Sequence, residues 1–189
     1  MSDGSRISEF DGLEVGRDFR TPGRTITETD VVSFAALTGD WHPQHADATW
    51  AAGSRFGQRV AHGMLVLSYA VGLVPMEASR VIALRGLDRV VFKQPALIGD
   101  TIHVEGRVES IKPLDETTAL GGLRWRIVNQ SGTAIARATV EVVLRRAEAT
   151  GDWDRDGPAN ATRERVESKA GSDPASGQEP GKRAREVYL

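Results

Sequence analysis

The sequence predicts an α+β fold, in which a buried helix packs against an antiparallel sheet of about five strands. The apolar segment GMLVLSYAVGL at 63–73 has the length and composition of a helix buried on most sides, and it stops just before Pro75. The segments after it alternate apolar and polar residues with a period of two, which is typical of half-buried antiparallel strands. With 189 residues the chain can bury one core and is too short for two full-sized domains.

The first predicted element is a short helix, TETDVVSFAAL, at 27–37. Threonine and acidic residues at its start suit an N-cap and a first helical turn. Gly39 suits the left-handed position that commonly ends a helix. We expect this helix to lead into the polar loop TGDWHPQHAD at 38–47, which precedes the apolar helix.

The sheet is predicted from the segments that follow the apolar helix. Residues 80–92 supply one or two strands, and FKQPALIGD at 92–100 interrupts the pattern with a proline and a glycine. The sequence NQSG at 129–132 is a typical hairpin turn between two strands. Clear alternation of apolar and polar residues is found in three segments: 101–109, 123–127 and 139–145.

The folded domain is expected to span residues 8–147, and a disordered polar tail is expected at 148–189. The tail contains only five large apolar residues, spaced without a helical or strand period. That is too little apolar surface to offset the entropy lost on ordering the segment.

Composition excludes several classes of function. The chain has no cysteine, which excludes disulfides, thiolate zinc sites and cysteine nucleophiles. Its formal charge is -2 with acidic and basic residues interspersed, so no nucleic-acid partner is expected. The polar N-terminus lacks an apolar signal region, and the apolar segments are too short to cross a membrane. These features predict a cytoplasmic protein without a membrane partner.

The polar loop concentrates residues that can carry chemistry. Asp40 and His45 are five positions apart, and Pro43 between them should prevent a regular helix, so the loop can turn both side chains toward one point. Carboxylate and imidazole are suited to acid–base chemistry near neutral pH. The residues alone favour a simpler interpretation, in which Asp40 caps a turn and His45 lies at the surface.

Metal binding is a rival use of the same region. Asp40, His42, His45, Asp47 and His62 are suitable ligand types for zinc or iron. However, Pro-Gln separates the two loop histidines, and no HExxH-like spacing places ligands on one helix face. We therefore expect no metal and no cofactor.

The sequence AHGM at 61–64 marks the start of the apolar helix. Gly63 would let a ligand approach backbone N–H groups that carry the partial positive charge of a helix N-terminus, as a developing oxyanion requires. Alternatively, Gly63 only permits a tight entry into the helix, with His62 capping or packing. Ser68 can either reach a ligand or bond back to its own backbone.

Three further side chains are of interest. His103 is expected to be solvated on the polar face of a strand. Trp41 and Trp50 flank the polar loop, where they would either wall a cavity or pack in the core.

Three blocks of the chain, TGDWHPQHADATWAA, GQRVAHGML and VVFKQPALIGDTIHVEGRV, together resemble the MaoC-like dehydratases, which include the (R)-specific enoyl-CoA hydratases. The resemblance covers residues 10 to 147. It implies a hotdog fold, in which a long helix is wrapped by a curled antiparallel sheet. It also implies a homodimer whose two sheets join, with an acyl tunnel at the subunit interface.

The resemblance also implies roles for individual residues. The family motif Asp-x-Asn-Pro-x-His places its acid and its histidine at Asp40 and His45, which would hold a water that adds to C3 of a trans-2-enoyl thioester. The product would be an (R)-3-hydroxyacyl thioester on CoA or an acyl carrier protein, and dehydration would be the reverse. The Gly63 amide would stabilise the thioester oxygen, with His62 and Ser68 also in the substrate site. His42 replaces the family's Asn, and we expect this change to alter substrate choice through contact with a polar or carboxylated acyl chain.

Two alternatives to a hydratase stay open. A hotdog thioesterase would use a carboxylate to drive water onto the carbonyl, but such enzymes generally lack the pair formed by Asp40 and His45. A non-catalytic hotdog subunit would pair with a catalytic partner, but the presence of both residues argues against it.

Overall fold

The structure, a computed structural model, describes residues 13–146. The tail predicted to be disordered lies outside the described residues, as do both ends of the predicted domain, so those boundaries stay predictions. Within 13–146, no helix is long and apolar enough to span a membrane. The described elements, in chain order, are β1 (Asp18–Arg20), β2 (Arg24–Thr25), α1 (Glu28–Thr38), α2 (Pro43–Ala46), α3 (Ala48–Ala52), α4 (Gly63–Leu73), β3 (Val81–Phe92), β4 (Thr101–Pro113), β5 (Thr118–Val128) and β6 (Ala134–Arg145).

The strands form an antiparallel sheet in the order β1-β4-β5-β6-β3, and β2 also pairs with β4. The sheet is open, with β1 and β3 at its two edges. The predicted α+β fold class is therefore confirmed, with six strands where about five were expected. The two additional N-terminal strands have three and two residues, too few to show an alternating pattern in the sequence.

The hairpin between β5 and β6 turns at 129–132, as predicted. The side-chain oxygen of Asn129 accepts the N–H groups of Ser131 and Thr133 at 3.1 and 3.0 Å. Gly132 closes the turn with a φ of 76°, in the left-handed region that glycine adopts readily. This turn sets the register in which Ile127 pairs with Ala136.

Helix α4 supplies the centre of the core, with Leu65, Val66, Leu67 and Ala70 buried. They pack with the inward-facing residues of the long strands in one apolar cluster. Burial on most sides was predicted for this helix, and one stripe of it is exposed. The exposed residues are Met64, Ser68 and Gly72. These residues recur every fourth position, so they share one face of the helix that the sheet of this chain does not cover.

Both ends of α1 have the predicted caps. The Thr27 hydroxyl accepts the Asp30 N–H, and the Asp30 carboxylate accepts the Thr27 N–H at 2.7 Å. Gly39 adopts a φ of 78°, and its N–H donates to the Ala35 carbonyl at 2.8 Å. The two caps fix the point at which the chain enters the polar segment.

The expectation that Pro43 prevents a helix is wrong. Pro43 is the first residue of α2, a single turn that ends at Ala46. Proline is tolerated at this position because the first N–H of a helix needs no intrahelical acceptor. His42 caps the turn, since its Nδ1 accepts the Gln44 N–H at 3.2 Å. His45 therefore lies on a helical turn rather than on an irregular loop.

Strand periodicity misplaced His103. His103 is buried, with 6% of its surface exposed, and its Nε2 lies 3.5 Å from the Glu105 carboxylate. Alternation gives the face of a strand on which a residue lies, but neighbouring segments decide whether that face is solvated. Trp41 and Trp50 were expected either to wall a cavity or to pack in the core. They are 52% and 47% exposed, so the second alternative does not apply.

Asp100 holds the segment between β3 and β4 in place. This residue is 6% exposed. Its carboxylate accepts the Leu97 N–H and the Gln130 side-chain amide, both at 2.9 Å, and the Asn129 amide at 3.4 Å. It thereby ties the β3–β4 segment to the β5–β6 hairpin.

Replacing Asp100 by alanine is expected to lower the free energy of unfolding by about 3 kcal/mol, because three partly buried hydrogen bonds to a charged acceptor are lost. Urea unfolding followed by circular dichroism measures this change. The matched control is Asp88→Ala, whose side chain is 75% exposed and which should change stability by less than about 0.5 kcal/mol. Equal stabilities of the two variants would contradict this role for Asp100.

Candidate active site

A cavity of about 800 Å³ opens beside the N-terminus of α4. Its wall combines residues of α1 and α2, the segment leading into α4, and the end of β3 with the residues that follow it. The wall contains both apolar side chains, such as Val66 and Ile135, and polar ones. This mixture is found in sites that bind an apolar chain with a polar head. Five of the six predicted site residues line it: Asp40, His45, His62, Gly63 and Ser68.

Asp40 and His45 face a common space. A carboxylate oxygen of Asp40 and ring nitrogens of His45 and His62 all lie within 4.8 Å of one another. A water hydrogen-bonded to two groups at about 2.8 Å each spans a comparable separation. The Asp40 carboxylate also accepts the His42 N–H at 3.3 Å, so it stabilises a turn as well.

His45 is held in one tautomer. It is 5% exposed, so the alternative of a surface position does not apply. Its Nδ1 lies 2.7 Å from the Val60 carbonyl oxygen, which can only accept, so Nδ1 carries the hydrogen. Nε2 is then unprotonated, and it accepts a hydrogen bond from the Gln44 side-chain N–H at 3.0 Å. His45 therefore presents a proton acceptor.

Burial lowers the pKa of His45 from its ordinary value of 6.5. The hydrogen bond to Val60 and the charge of Asp40 oppose this effect, while His62 and His42 add to it. The imidazole is therefore neutral near pH 7, which is the form that can accept a proton.

His62 supports both members of the pair. Its ring stacks on His45 with the centroids 3.8 Å apart. Its Nε2 donates to the backbone carbonyl of Asp40 at 3.0 Å. Its Nδ1 is buried and has no hydrogen-bond partner within the described part of the chain. The predicted packing role of His62 therefore includes fixing the backbone of Asp40.

Gly63 begins α4 at the wall of the cavity. A Cβ atom at this position would lie 2.8 Å from the Phe92 ring, so only glycine allows this approach. The first N–H groups of a helix have no intrahelical acceptor, and the side chain of the N-cap residue His62 accepts none of them. Gly63 and Met64 therefore offer N–H groups to an anionic oxygen in the cavity.

The remaining predicted residues have local partners. The His42 ring packs edge-on against Trp50, with the centroids 5.5 Å apart, and His42 does not line the cavity. The structure therefore does not bring His42 to the place expected for an acyl chain. Ser68 lines the cavity, but its hydroxyl donates to the Met64 carbonyl at 2.8 Å, which is the alternative role considered for it.

Several lining residues were not anticipated from the sequence. Gln44 contacts His45, and Phe92 and Lys93 reach the cavity from the end of β3. The signal for the last two was the interrupted segment 92–100, which was interpreted only as a break in the strand pattern. This segment returns to the entry of α4, where the Ala61 N–H donates to the Ala96 carbonyl at 2.8 Å.

The same three side chains are also a candidate metal site. Asp40, His45 and His62 have suitable donor atoms within 4.8 Å of one another. However, the two imidazole rings are stacked with only 25° between their planes. Each lone pair lies in its own ring plane, so the rings do not converge on an ion at about 2.1 Å from both nitrogens. The geometry fits proton transfer better than metal binding.

Comparison with known proteins identifies the family. Residues 11–122 match the family model described as a MaoC like domain. The (R)-specific enoyl-CoA hydratase of Aeromonas caviae is 32% identical over 132 residues, which cover 70% of this chain and 96% of that protein. The 3-hydroxybutyryl-CoA dehydratase of Methylorubrum extorquens is 33% identical, covering 57% and 68%. Protein MaoC of Klebsiella aerogenes is 44% identical over 50% of this chain, but the match spans only 29% of that longer protein.

Solved structures agree with this assignment. The monoamine oxidase regulatory protein of Archaeoglobus fulgius superposes with a TM-score of 0.68 at 35% identity, covering 73% of this chain and 94% of that one. The (R)-hydratase of A. caviae gives 0.58 at 30% identity, covering 69% and 96%. A Mycobacterium tuberculosis protein described as a double hotdog fold gives 0.64 at 22% identity, covering 75% and 45%, which bears on the fold alone. The chain therefore belongs to the MaoC-like dehydratase family, as a lyase with the hotdog fold.

Proposed function

We propose that this protein adds water to trans-2-enoyl thioesters to give (R)-3-hydroxyacyl thioesters, and catalyses the reverse dehydration. The observation that carries the proposal is the position of Asp40 and His45 in one cavity with the N-terminus of α4. A water-activating pair and an oxyanion site are the two requirements of this proton-transfer reaction. The activities named for the A. caviae and M. extorquens relatives support it.

In this mechanism a water takes the place of the Gln44 amide at Nε2 of His45 and lies between this nitrogen and the Asp40 carboxylate. As the water oxygen bonds to C3, its proton passes to this pair, and the C2–C3 π electrons move toward the thioester carbonyl. C2 then takes up the proton held by the pair as the carbonyl re-forms. One water is added overall, and the pair returns to its starting protonation state.

The thioester oxygen becomes negative while the electrons are displaced. N–H groups at the start of α4 would stabilise it, with Gly63 contributing the amide next to the cavity. Fixed N–H donors need little reorganisation as charge develops, so they stabilise the transition state more than the substrate.

The test is the ultraviolet absorbance of crotonyl-CoA mixed with the purified chain. Loss of the enoyl absorbance without release of free thiol, and unchanged by a chelator, is the expected result. Release of thiol would instead indicate the thioesterase. No reaction with crotonyl-CoA or with longer, branched and carboxylated enoyl-CoAs would favour the non-catalytic subunit.

We further propose that the active form is a homodimer whose sheets join through β3. This strand is a 12-residue sheet edge, and an exposed apolar edge favours pairing with a second strand. Met64 and Phe92 line the cavity and are 55% and 48% exposed, so a partner at this edge would complete the cavity wall. The exposed apolar residues of β3 are Ile82, Leu84, Leu87 and Phe92.

Leu87→Asp is expected to convert the dimer into a monomer and to reduce hydration at least about tenfold, because a carboxylate would be buried without a partner. Sedimentation velocity and the crotonyl-CoA assay measure the two effects. The control is Leu114→Asp, at a residue that is 50% exposed in the turn after β4 and that should stay dimeric. A dimeric and fully active Leu87→Asp variant would refute the proposed interface.

The pH dependence should follow the lowered pKa of His45. The neutral imidazole is the base, so kcat/KM should fall as the pH is lowered, with the midpoint of this acid limb below the ordinary histidine value of 6.5. Initial rates with crotonyl-CoA at a series of pH values measure the profile. An acid limb centred above pH 6.5 would contradict the neutral base.

The cavity does not by itself select the carrier, since CoA and an acyl carrier protein present the same thioester. The cytoplasmic location and the expected lack of cofactor, nucleic-acid and membrane partners stay predictions.

A further inference from the structure

The side chain of Gln44 reaches the atom of His45 that accepts a proton. Gln44 lies on the single turn of α2, directly before His45, and it lines the same cavity as Asp40. Its amide nitrogen lies 3.0 Å from Nε2 of His45. Because Nδ1 of His45 holds its hydrogen toward the Val60 carbonyl, the amide N–H is the donor in this contact.

The backbone of Gln44 is fixed from both sides. Its N–H donates to Nδ1 of His42 at 3.2 Å, and its carbonyl accepts the Val60 N–H at 3.1 Å. Val60 also binds His45 through its carbonyl, so one residue holds both members of the contact. The amide of Gln44 can therefore move relative to the base only by rotation about its own side-chain torsions.

Three other donors of the cavity wall have acceptors of their own. The Thr38 and Ser68 hydroxyls and Nε2 of His62 each donate to a backbone carbonyl, at 2.7, 2.8 and 3.0 Å. Gln44 differs from them because its acceptor is the catalytic base itself.

The amide and the reacting water compete for one lone pair. Nε2 of a neutral imidazole has a single lone pair in the plane of the ring, so it accepts one well-aligned hydrogen bond. A water that gives its proton to Nε2 of His45 needs this lone pair, to which the Gln44 amide donates. The amide therefore has to withdraw as the water enters, and the two are neighbours during the reaction.

A withdrawn amide still reaches the water. A water that donates to Asp40 and to His45 has two lone pairs, which point away from its two hydrogens in a tetrahedral arrangement. An amide nitrogen bonded to one of these lone pairs would lie about 4.6 Å from Nε2. In the structure this separation is 3.0 Å. Rotation about the three side-chain torsions of Gln44 is sufficient to cover the difference.

A third contact would fix the direction of attack. A water held only by Asp40 and His45 can swing about the line that joins its two acceptors, so its lone pairs point in a range of directions. A donor on one lone pair removes this freedom and leaves the other lone pair directed at C3 of the substrate. An amide N–H suits this task, because it holds the water without taking a proton from it.

We propose that Gln44 is a further catalytic residue, whose side-chain N–H leaves Nε2 of His45 as the reacting water enters and then donates to the oxygen of that water. The inference rests on the proposed function. Gln44 neither gains nor loses a proton: the water proton passes to the pair of Asp40 and His45, the C3–O bond forms, and C2 takes up the proton. In the reverse dehydration the same N–H stabilises the departing oxygen, which becomes partly negative as the C3–O bond breaks.

The first test is Gln44→Met, which keeps an unbranched side chain of similar length and removes the N–H. We expect kcat for crotonyl-CoA hydration to fall about tenfold and KM to stay within about twofold, because the amide contacts the water and not the acyl group. Circular dichroism checks that the variant is folded. The matched control is Gln58→Met, at an exposed residue that does not line the cavity, which should keep the kcat of the wild type.

Three results would overturn the proposal. An unchanged kcat in Gln44→Met would show that the amide does not hold the water. A higher kcat would show that the amide only blocks the base. A change confined to KM would place the amide on the substrate.

The second test is Gln44→Glu, which places a negative charge where the amide lies. A carboxylate cannot donate to Nε2, and it favours the protonated form of His45. The midpoint of the acid limb of kcat/KM should therefore rise by at least about one pH unit, while Gln58→Glu should keep the wild-type profile. An NMR titration of His45 measures the same shift without catalysis. The other titratable groups that face this imidazole are the same in both variants: Asp40, His42 and His62.

An unchanged midpoint in Gln44→Glu would place this side chain away from the base and would overturn the proposal. The two tests also separate this proposal from the proposed function. If the wild type hydrates crotonyl-CoA and Gln44→Met is equally fast, the hydratase stands and the role of Gln44 fails. If the wild type hydrates no enoyl-CoA but the NMR titration shows the shift, the contact with His45 stands, and both the hydratase and the catalytic role fail.

Discussion

Asp40→Asn is expected to lower kcat for the hydration of crotonyl-CoA by about 10³-fold, with little change in KM. Asparagine keeps the side-chain oxygen that accepts the His42 N–H, so the turn should persist. It removes the negative charge that favours the protonated form of His45, and it removes a proton acceptor for the water. The rate at which the enoyl absorbance disappears measures the effect.

The matched control for this variant is Asp47→Asn, which makes the same chemical change seven positions further along the chain. The Asp47 carboxylate accepts the Trp50 N–H at 2.9 Å as the cap of α3. Asparagine caps helices as well as aspartate does, so activity should stay within about twofold of the wild type. Equal losses in both variants would point to a disturbed segment rather than to a catalytic carboxylate.

His45→Gln is expected to have a comparable effect, with kcat for crotonyl-CoA reduced by about 10³-fold. Glutamine is polar and of similar length, but its amide cannot take a proton from water near neutral pH. The remaining activity should also lack the acid limb assigned to the imidazole, and this loss of pH dependence separates a missing base from a partly unfolded protein.

The control for His45→Gln is His103→Gln. Both histidines are buried, at 5% and 6% exposure, but His103 lies on β4 and does not line the catalytic cavity. Circular dichroism and thermal unfolding of both variants test for loss of structure. A His45→Gln variant that stays folded and keeps more than about a tenth of wild-type activity would contradict the role of His45 as the base.

Elements specified by near neighbours could be predicted from the sequence. The bounds of α4 follow from an uninterrupted apolar segment that ends before Pro75, and the caps of α1 follow from Thr27 and Gly39. The alternation in β4 to β6 predicted the sheet that the fold comparison confirmed. The short strands β1 and β2 were missed because their formation depends on pairing with β4, which follows them by about eighty residues.

In the candidate site, too, some features could be predicted from the sequence and others depend on distant contacts. Asp40, His45 and Gly63 were selected from residue types and the motif resemblance, and the structure places all three at one cavity. The position of His42 was not predictable, because its cap on α2 directs the ring toward Trp50 and away from that cavity.

The sequence by itself determined the two longer helices, the long strands and their order, and the chemical types available at the loop and at the start of α4. Only the tertiary structure decided the burial, the protonation state and the hydrogen-bond partners of these residues. The tautomer and pKa of His45 depend on the carbonyl of Val60, fifteen residues away, and on the stacked ring of His62. A second cavity, lined by six basic side chains, likewise forms only because β3 to β6 bring distant parts of the chain together. Secondary structure depends mainly on neighbours a few residues apart, whereas burial, proton affinity and charge clustering depend on contacts between distant parts of the chain.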